Sequence, residues 1–233
     1  MHTTKQSHIA FQDFLPKLEE HLLSRIQSIL RKENGDLEHD NHMQGLHGRP
    51  RNSILFKSDR IYPHKIMRIN YTTYDTRRSQ DVINPSTLHR DIMMLNDSFV
   101  SDDHQQSHPY CYARVLGIYH ANIIYAGPGM IDYQAKRMEF LWVRWYRHTE
   151  LTQISWGSHR LDRIQFPPMA EDDSFGFVDP SDVIRGCHII PAFSGRKVHT
   201  DGKGLSFCAQ DSLDWVSYYV NRCVILVFID DTL

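Results

Sequence analysis

Five aromatic residues crowd one stretch of this chain: Tyr112, Tyr119, Trp142, Trp145 and Tyr146. Such rings could surround a cationic ligand such as a methylated lysine, each contributing about 0.5–2 kcal/mol of cation–π attraction. Aromatic strand residues also fill cores, and Trp142 and Trp145, three apart, leave opposite faces of a strand. His104 and His108 stand four apart beside Asp102 and Asp103, a spacing that on a helix would offer zinc nitrogen and carboxylate ligands. Pro109 and the polar composition there oppose a helix, and with no closely paired cysteines the sequence implies no metal site. Four arginines are candidates for nucleic-acid contact. Arg49 and Arg51, in Gly48-Arg49-Pro50-Arg51, are similar to the basic hook that enters an A·T-rich minor groove, though His47 stands where an arginine would precede the glycine. A flexible basic turn is the plainer reading of so short a match. Arg77 and Arg78, with Arg68 nearby, could touch phosphates, while the flanking Asp75 and Asp81 argue for a surface ion-pair cluster. Carboxylates are too scattered to nominate a catalytic metal set, and Cys187 and His188 are neighbours whose side chains diverge in a strand. No catalytic residue and no cofactor follow.

The elements that must position these groups centre on a hairpin from His108 to Arg147, two β-rich stretches around a glycine-proline loop. In the first, Ala113, Val115, Gly117, Tyr119, Ala121 and Ile123 alternate with Tyr112, Arg114, Leu116, Ile118, His120 and Asn122. In the second, Met138, Phe140, Trp142, Arg144 and Tyr146 alternate with Glu139, Leu141, Val143, Trp145 and Arg147. Apolar residues on both faces require closure into a barrel or coverage, so Val115, Leu141, Val143 and Ile189 are expected in the core. Upstream, Phe14, Leu15, Leu18, Leu22, Ile26, Ile29 and Leu30 recur at helical spacing, with Asp13 placed to cap and Asn34-Gly35 to stop. Strand periodicity runs from Arg60 to Asp75, an apolar run follows at Ile92–Leu95, and two shorter strands are expected over Ser174–Val178 and Val183–Phe193. Trp215–Ile229, aromatic and then wholly apolar, could be a helix followed by a strand, which its period does not settle.

The chain has 233 residues, 41% hydrophobic and 23% charged, which suits a folded domain rather than wholesale disorder. With 26 Lys plus Arg against 28 Asp plus Glu, the net charge of −2 exerts no global pull on nucleic acid or acidic membrane, so either partner needs a local patch. Four dispersed cysteines and no signal peptide lead us to expect reduced thiols in an intracellular protein. No apolar run approaches the roughly 20 residues of a membrane helix, and no membrane partner is expected.

The strings NYTTYDTRRSQDVINP (Asn70 to Pro85), DIMML (Asp91 to Leu95), HPYCYARVLGIYHANI, RMEFLWVRWY and FGFVDPSDVIRGCHIIPAF (Phe175 to Phe193), in that order, resemble a fungal transposon family. They look like the C-terminal region of the large proteins of Plavaka-type elements, related to the Kyakuja, Dileera and Zisupton transposons. FLPKLEEHLLSRI and RIYPHKIMRINY fit too, so the resemblance reaches to about Asn221. It implies a nuclear protein lying downstream of a transposase core, with the DNA-cutting carboxylates elsewhere. Tyr112 to Pro191 also resembles a bromo-adjacent homology (BAH) module: a strand like YARVLGIY, one like VRWYR, and the turn Val183-Ile184-Arg185-Gly186-Cys187. Such modules are chromatin-associated, and insertions at 126–136 and 156–173 depart from a compact version.

The expected fold is therefore mainly β (α+β): a small BAH-like barrel with an N-terminal amphipathic helix and irregular loops. Its parts would be a helix in 1–35, a flexible linker over 36–59, a β segment over 60–107 packing on the barrel, the barrel over 108–193, and a loop and divergent tail over 194–233. Val224–Ile229 is expected at a sheet edge or beyond the barrel. The implied function is a non-catalytic interaction module for a protein or chromatin partner or for nucleic acid; the alternative is a fragment of a DNA transposase whose catalytic domain lies upstream.

Overall fold

A computed structural model of the chain describes residues 13–34, 53–72, 77–96, 108–127, 133–149 and 161–221. Arg49, Arg51, His104 and the Val224–Ile229 segment lie outside these residues. Among the described residues the protein is mainly β, with one α-helix, α1 (Phe14–Asn34), and strands that all pair antiparallel.

Strand β5 (Tyr110–Tyr125) is the spine. Along one edge it pairs with β6 (Lys136–Trp145), which pairs in turn with β9 (Phe175–Val178). Its other edge is shared end to end: β4 (Asp91–Leu95) takes the first half and β1 (Ile54–His64) the second. Strand β10 (Val183–Gly186) closes the order on the far side of β4. The barrel expectation is corrected here. The sheet is open, its two ends β10 and β9 do not pair, and both faces are hidden by separate layers. Coverage meets the same demand as closure, since either removes apolar surface from water.

One layer is the ribbon β2–β3 (Met67–Thr72 and Arg78–Ile83), whose Met67, Ile69 and Ile83 pack on Ala113, Val115, Ile118, Leu141 and Val143. On the opposite face lies α1. It buries Leu18, Leu22, Ile26 and Leu30, one per turn, against Ala121, Ile123, Met138 and Phe140. Leu15 and Ile29, two of the predicted apolar positions, are exposed. Beside the helix, on the same face, a four-stranded sheet of order β11-β12-β8-β7 (His188–Pro191, Tyr218–Asn221, Arg163–Gln165, Arg147–His148) buries Tyr112, Tyr146, Ile164, Tyr218 and Val220 together. Val115, Leu141 and Val143 are core residues as expected, while Ile189 packs half-buried against this second cluster.

Two further expectations change. The linker over 36–59 gives way at Ile54 to β1, whose pairing with β5 is interrupted after Phe56 and resumes at Ile61. Ser58 and Asp59 there take left-handed backbone (φ 62° and 49°), so the segment bulges and loses the simple alternation by which strands are read. The 194–233 segment is not wholly loop, because β12 joins β11 to β8 from Tyr218, and Trp215 before it makes an isolated bridge to Lys197.

Candidate functional site

A bulge also reorganises the central hairpin. Val115 opposes Val143, but Gly117 opposes Trp142, so Leu116 is the extra residue. Before the bulge Tyr112, Arg114 and Leu116 share a face with Trp142, Arg144 and Tyr146; after it Tyr119, Ala121 and Ile123 share that face with Met138 and Phe140. The strict alternation expected along β5 therefore inverts at Leu116, and Ile118 turns to the side of Val115.

Before the bulge a polar row crosses three strands, in which Asp91 opposes Arg114 and Arg114 opposes Arg144. Two guanidinium groups directly across from each other repel, and both side chains are buried. Asp214 resolves the conflict from the loop before β12. Its Oδ1 accepts from Arg114 Nη1 at 2.8 Å and its Oδ2 from Arg144 Nη1 at 2.5 Å. Tyr146 donates to Asp91 at 3.0 Å and accepts from Arg114 Nη2 at 3.0 Å, while Tyr218 donates to Asp214 at 3.1 Å. The Phe166 ring lies 4.6 Å from the Arg114 guanidinium carbon and 3.9 Å from that of Arg144.

Formal charges cancel in this cluster, two cations against two carboxylates. Burial pushes the Tyr146 phenol well above its ordinary range and, with Asp214 nearby, that of Tyr218 up to about 12, so both stay neutral donors. Burial also raises Asp91, against the pull of Arg114 and Arg90. For Arg114, burial works against the charge, and Tyr146, Asp91 and Asp214 more than reverse it. A closed, neutralised cluster of this kind fixes how the layers dock; it offers no nucleophile and no water-facing base.

The five aromatic candidates do not converge. Tyr112 and Tyr146 meet in the second core, where Tyr112 donates to Asp162 at 3.1 Å. Near Tyr146 the cation is the protein's own Arg114, 5.8 Å from the ring centre. Trp145 lies on the other face, against β2–β3, in space left open by Gly176, where a Cβ would come within 2.6 Å of its Nε1. Tyr119 packs beside Phe140 at 5.7 Å. Trp142 borders a cleft of about 170 Å³ under the start of α1. Phe14 meets it edge-on at 5.4 Å, Phe175 stacks at 6.2 Å, and Phe177 completes the ring wall. Asp13, Glu171 and Asp172 give the cleft an acidic rim, and Lys17 places its ammonium there, donating to the Asp172 carbonyl.

Of the two carboxylates that flank the ribbon's arginines in sequence, Asp75 lies outside the described residues. Arg77 and Arg78 are exposed, and Asp81 turns to the inner face of the ribbon. It accepts from Arg185 Nε at 3.1 Å and from the Gly186 N–H at 3.0 Å, with the Arg185 guanidinium 3.6 Å above the Tyr71 ring. His108 stacks on His148 at 4.0 Å and stands 3.2 Å from the Asp162 carboxylate without hydrogen-bond alignment. Among the described residues no group of three or more potential ligands could hold a metal. Burial pushes the Cys187 thiol well above its usual range, away from thiolate reactivity, and His188 next to it is exposed. Asp91, Arg144, Asp214 and Phe166 escaped sequence reading. Arginines flanked by apolar residues in mid-strand are the one available signal, since burial there demands a partner. Comparison with protein-family models, with curated proteins and with solved structures finds no match.

Proposed function

We propose that the chain is a non-catalytic interaction module of transposon origin, acting in the nucleus, that receives a cationic side chain of a protein partner in the cleft beside Trp142. The observation that carries this reading is the composition of the cleft: three phenylalanines and a tryptophan under a rim of three carboxylates, already visited by one ammonium. Aromatic faces and carboxylates together favour lysine and its methylated forms, as a chromatin partner would present. The buried cluster supports the non-catalytic part, because its charges are spent on one another. BAH-like ancestry remains part of this proposal, with an open, doubly covered sheet as its framework.

Titration of lysine, trimethyl-lysine and uncharged control peptides, followed by tryptophan fluorescence, tests the cleft. Saturable binding of the cationic peptides that Trp142→Ala removes is the expected result, and identical responses to charged and uncharged peptides would reject it. A DNA-nicking assay with Mg²⁺ or Mn²⁺ tests the rest. Nicking abolished by replacing one Asp or Glu of this chain would make it part of a transposase active site.

A further inference from the structure

We propose that the outer face of the β2–β3 ribbon binds the major groove of duplex DNA. The ribbon is a two-stranded sheet separate from the other two, and strict alternation sorts its residues. Met67, Ile69, Tyr71, Asp81 and Ile83 turn inward, where the Arg185 contacts anchor them on β10. Facing outward are Arg68, Asn70 and Thr72, directly across from Val82, Gln80 and Arg78. All six are exposed. The face carries two guanidinium groups and two carboxamides and no carboxylate, and Arg68 and Arg78 have no ion pair among the described residues. Asp81 is held inward, so among the described residues no carboxylate shares this face with the two arginines, although the whole chain is slightly acidic.

Two features select duplex DNA over other anionic partners. A two-stranded ribbon fits the width of the B-form major groove, and six residues per strand span about 20 Å along it. The side chains also match the groove's chemistry. Arginine pairs with guanine O6 and N7, asparagine or glutamine with adenine N6 and N7, and an apolar group such as Val82 suits the thymine methyl. Gln80 Nε2 donates to Asn70 Oδ1 at 2.8 Å, so the two carboxamides are already oriented as a cross-strand pair. The A-form RNA major groove is too narrow for such a reader.

The proposal rests on the module reading only in requiring no chemistry, and its assay runs in EDTA so that nicking cannot intrude. Anisotropy of a labelled duplex of about two helical turns is followed between about 50 and 200 mM salt. Replacing Arg68 and Arg78 together by alanine is expected to weaken binding about tenfold or more and to lower the salt slope by about one per arginine that touches phosphate. Asn70→Ala with Gln80→Ala is expected to keep that slope and level the preference among a panel of duplex sequences. If the arginine pair fails to fold as alanines, Arg68→Gln with Arg78→Gln takes its place. Four results would overturn the proposal: no duplex binding by the parent chain, unchanged binding by the arginine variant, equal affinity for an RNA duplex, or an acidic peptide binding this face in place of DNA.

Discussion

Arginine is used in two opposed ways on the two faces of the main sheet. Arg114 and Arg144 are buried, and every charge they bring is matched within a few ångströms by Asp91 or Asp214. On the ribbon, Arg68 and Arg78 are exposed and have no such partner among the described residues, where Asp81 is spent on Arg185. The difference follows from desolvation. A guanidinium removed from water is tolerated only when paired, whereas one left in water costs nothing to leave available. Charges in the first region therefore hold layers together, and those in the second face solvent, where the proposed DNA contact would use them.

Removing Asp214 should break the comparison most severely. Asp214→Ala leaves Arg114 and Arg144 facing each other in the core, and a loss of about 3–5 kcal/mol is expected from chemical denaturation. A variant within about 0.5 kcal/mol of the parent would mean that the cluster is not buried as described.

His21 sharpens the contrast with a cationic group that burial has neutralised instead of paired. Burial, aided by Arg25 and opposed by Asp179, lowers its pKa to about 4, and its Nε2 has no hydrogen-bond partner among the described residues. The unfolded chain binds this proton near the ordinary value of 6.5, the folded one only near 4. Stability should thus be fully present above the unfolded pKa and fall as pH drops through this window, by up to about 3 kcal/mol. Melting curves at stepped pH check this, and His21→Gln should flatten the dependence between those values.

Asp81→Ala should have an intermediate effect, about 1–3 kcal/mol, because Arg185 and the Gly186 N–H lose their acceptor where the ribbon meets β10. Hydrogen exchange should quicken across β2 and β3 while β5 and β6 stay protected. The smallest effect belongs to Arg68→Ala with Arg78→Ala, which should change stability by less than about 0.5 kcal/mol per site by thermal melting. A larger loss would show that these arginines are structural after all.

How far the sequence could be read depended on whether the signal was local. The helix was legible because Leu18, Leu22, Ile26 and Leu30 repeat at one turn, and the hairpin because β-formers line both of its faces. The ribbon's second strand was harder, since Arg78, Ser79, Gln80 and Asp81 carry little β-propensity and are held mainly by pairing and the Asp81 anchor. The aromatic candidates scatter over several packed clusters; Trp142 borders a cleft, and its phenylalanine companions there come from α1 and β9.

By itself the sequence determined a β-rich chain with one amphipathic helix and a central hairpin that had to be covered on both sides, because periodicity and burial demand are properties of neighbouring residues. Tertiary structure alone decided that coverage rather than closure hides the hairpin and that Leu116 inverts the faces of β5. It also brings Asp214 to Arg114 across one hundred residues of chain. Pairing register and the meeting of distant charges are set by what packs against what, and no local pattern of residue types encodes that.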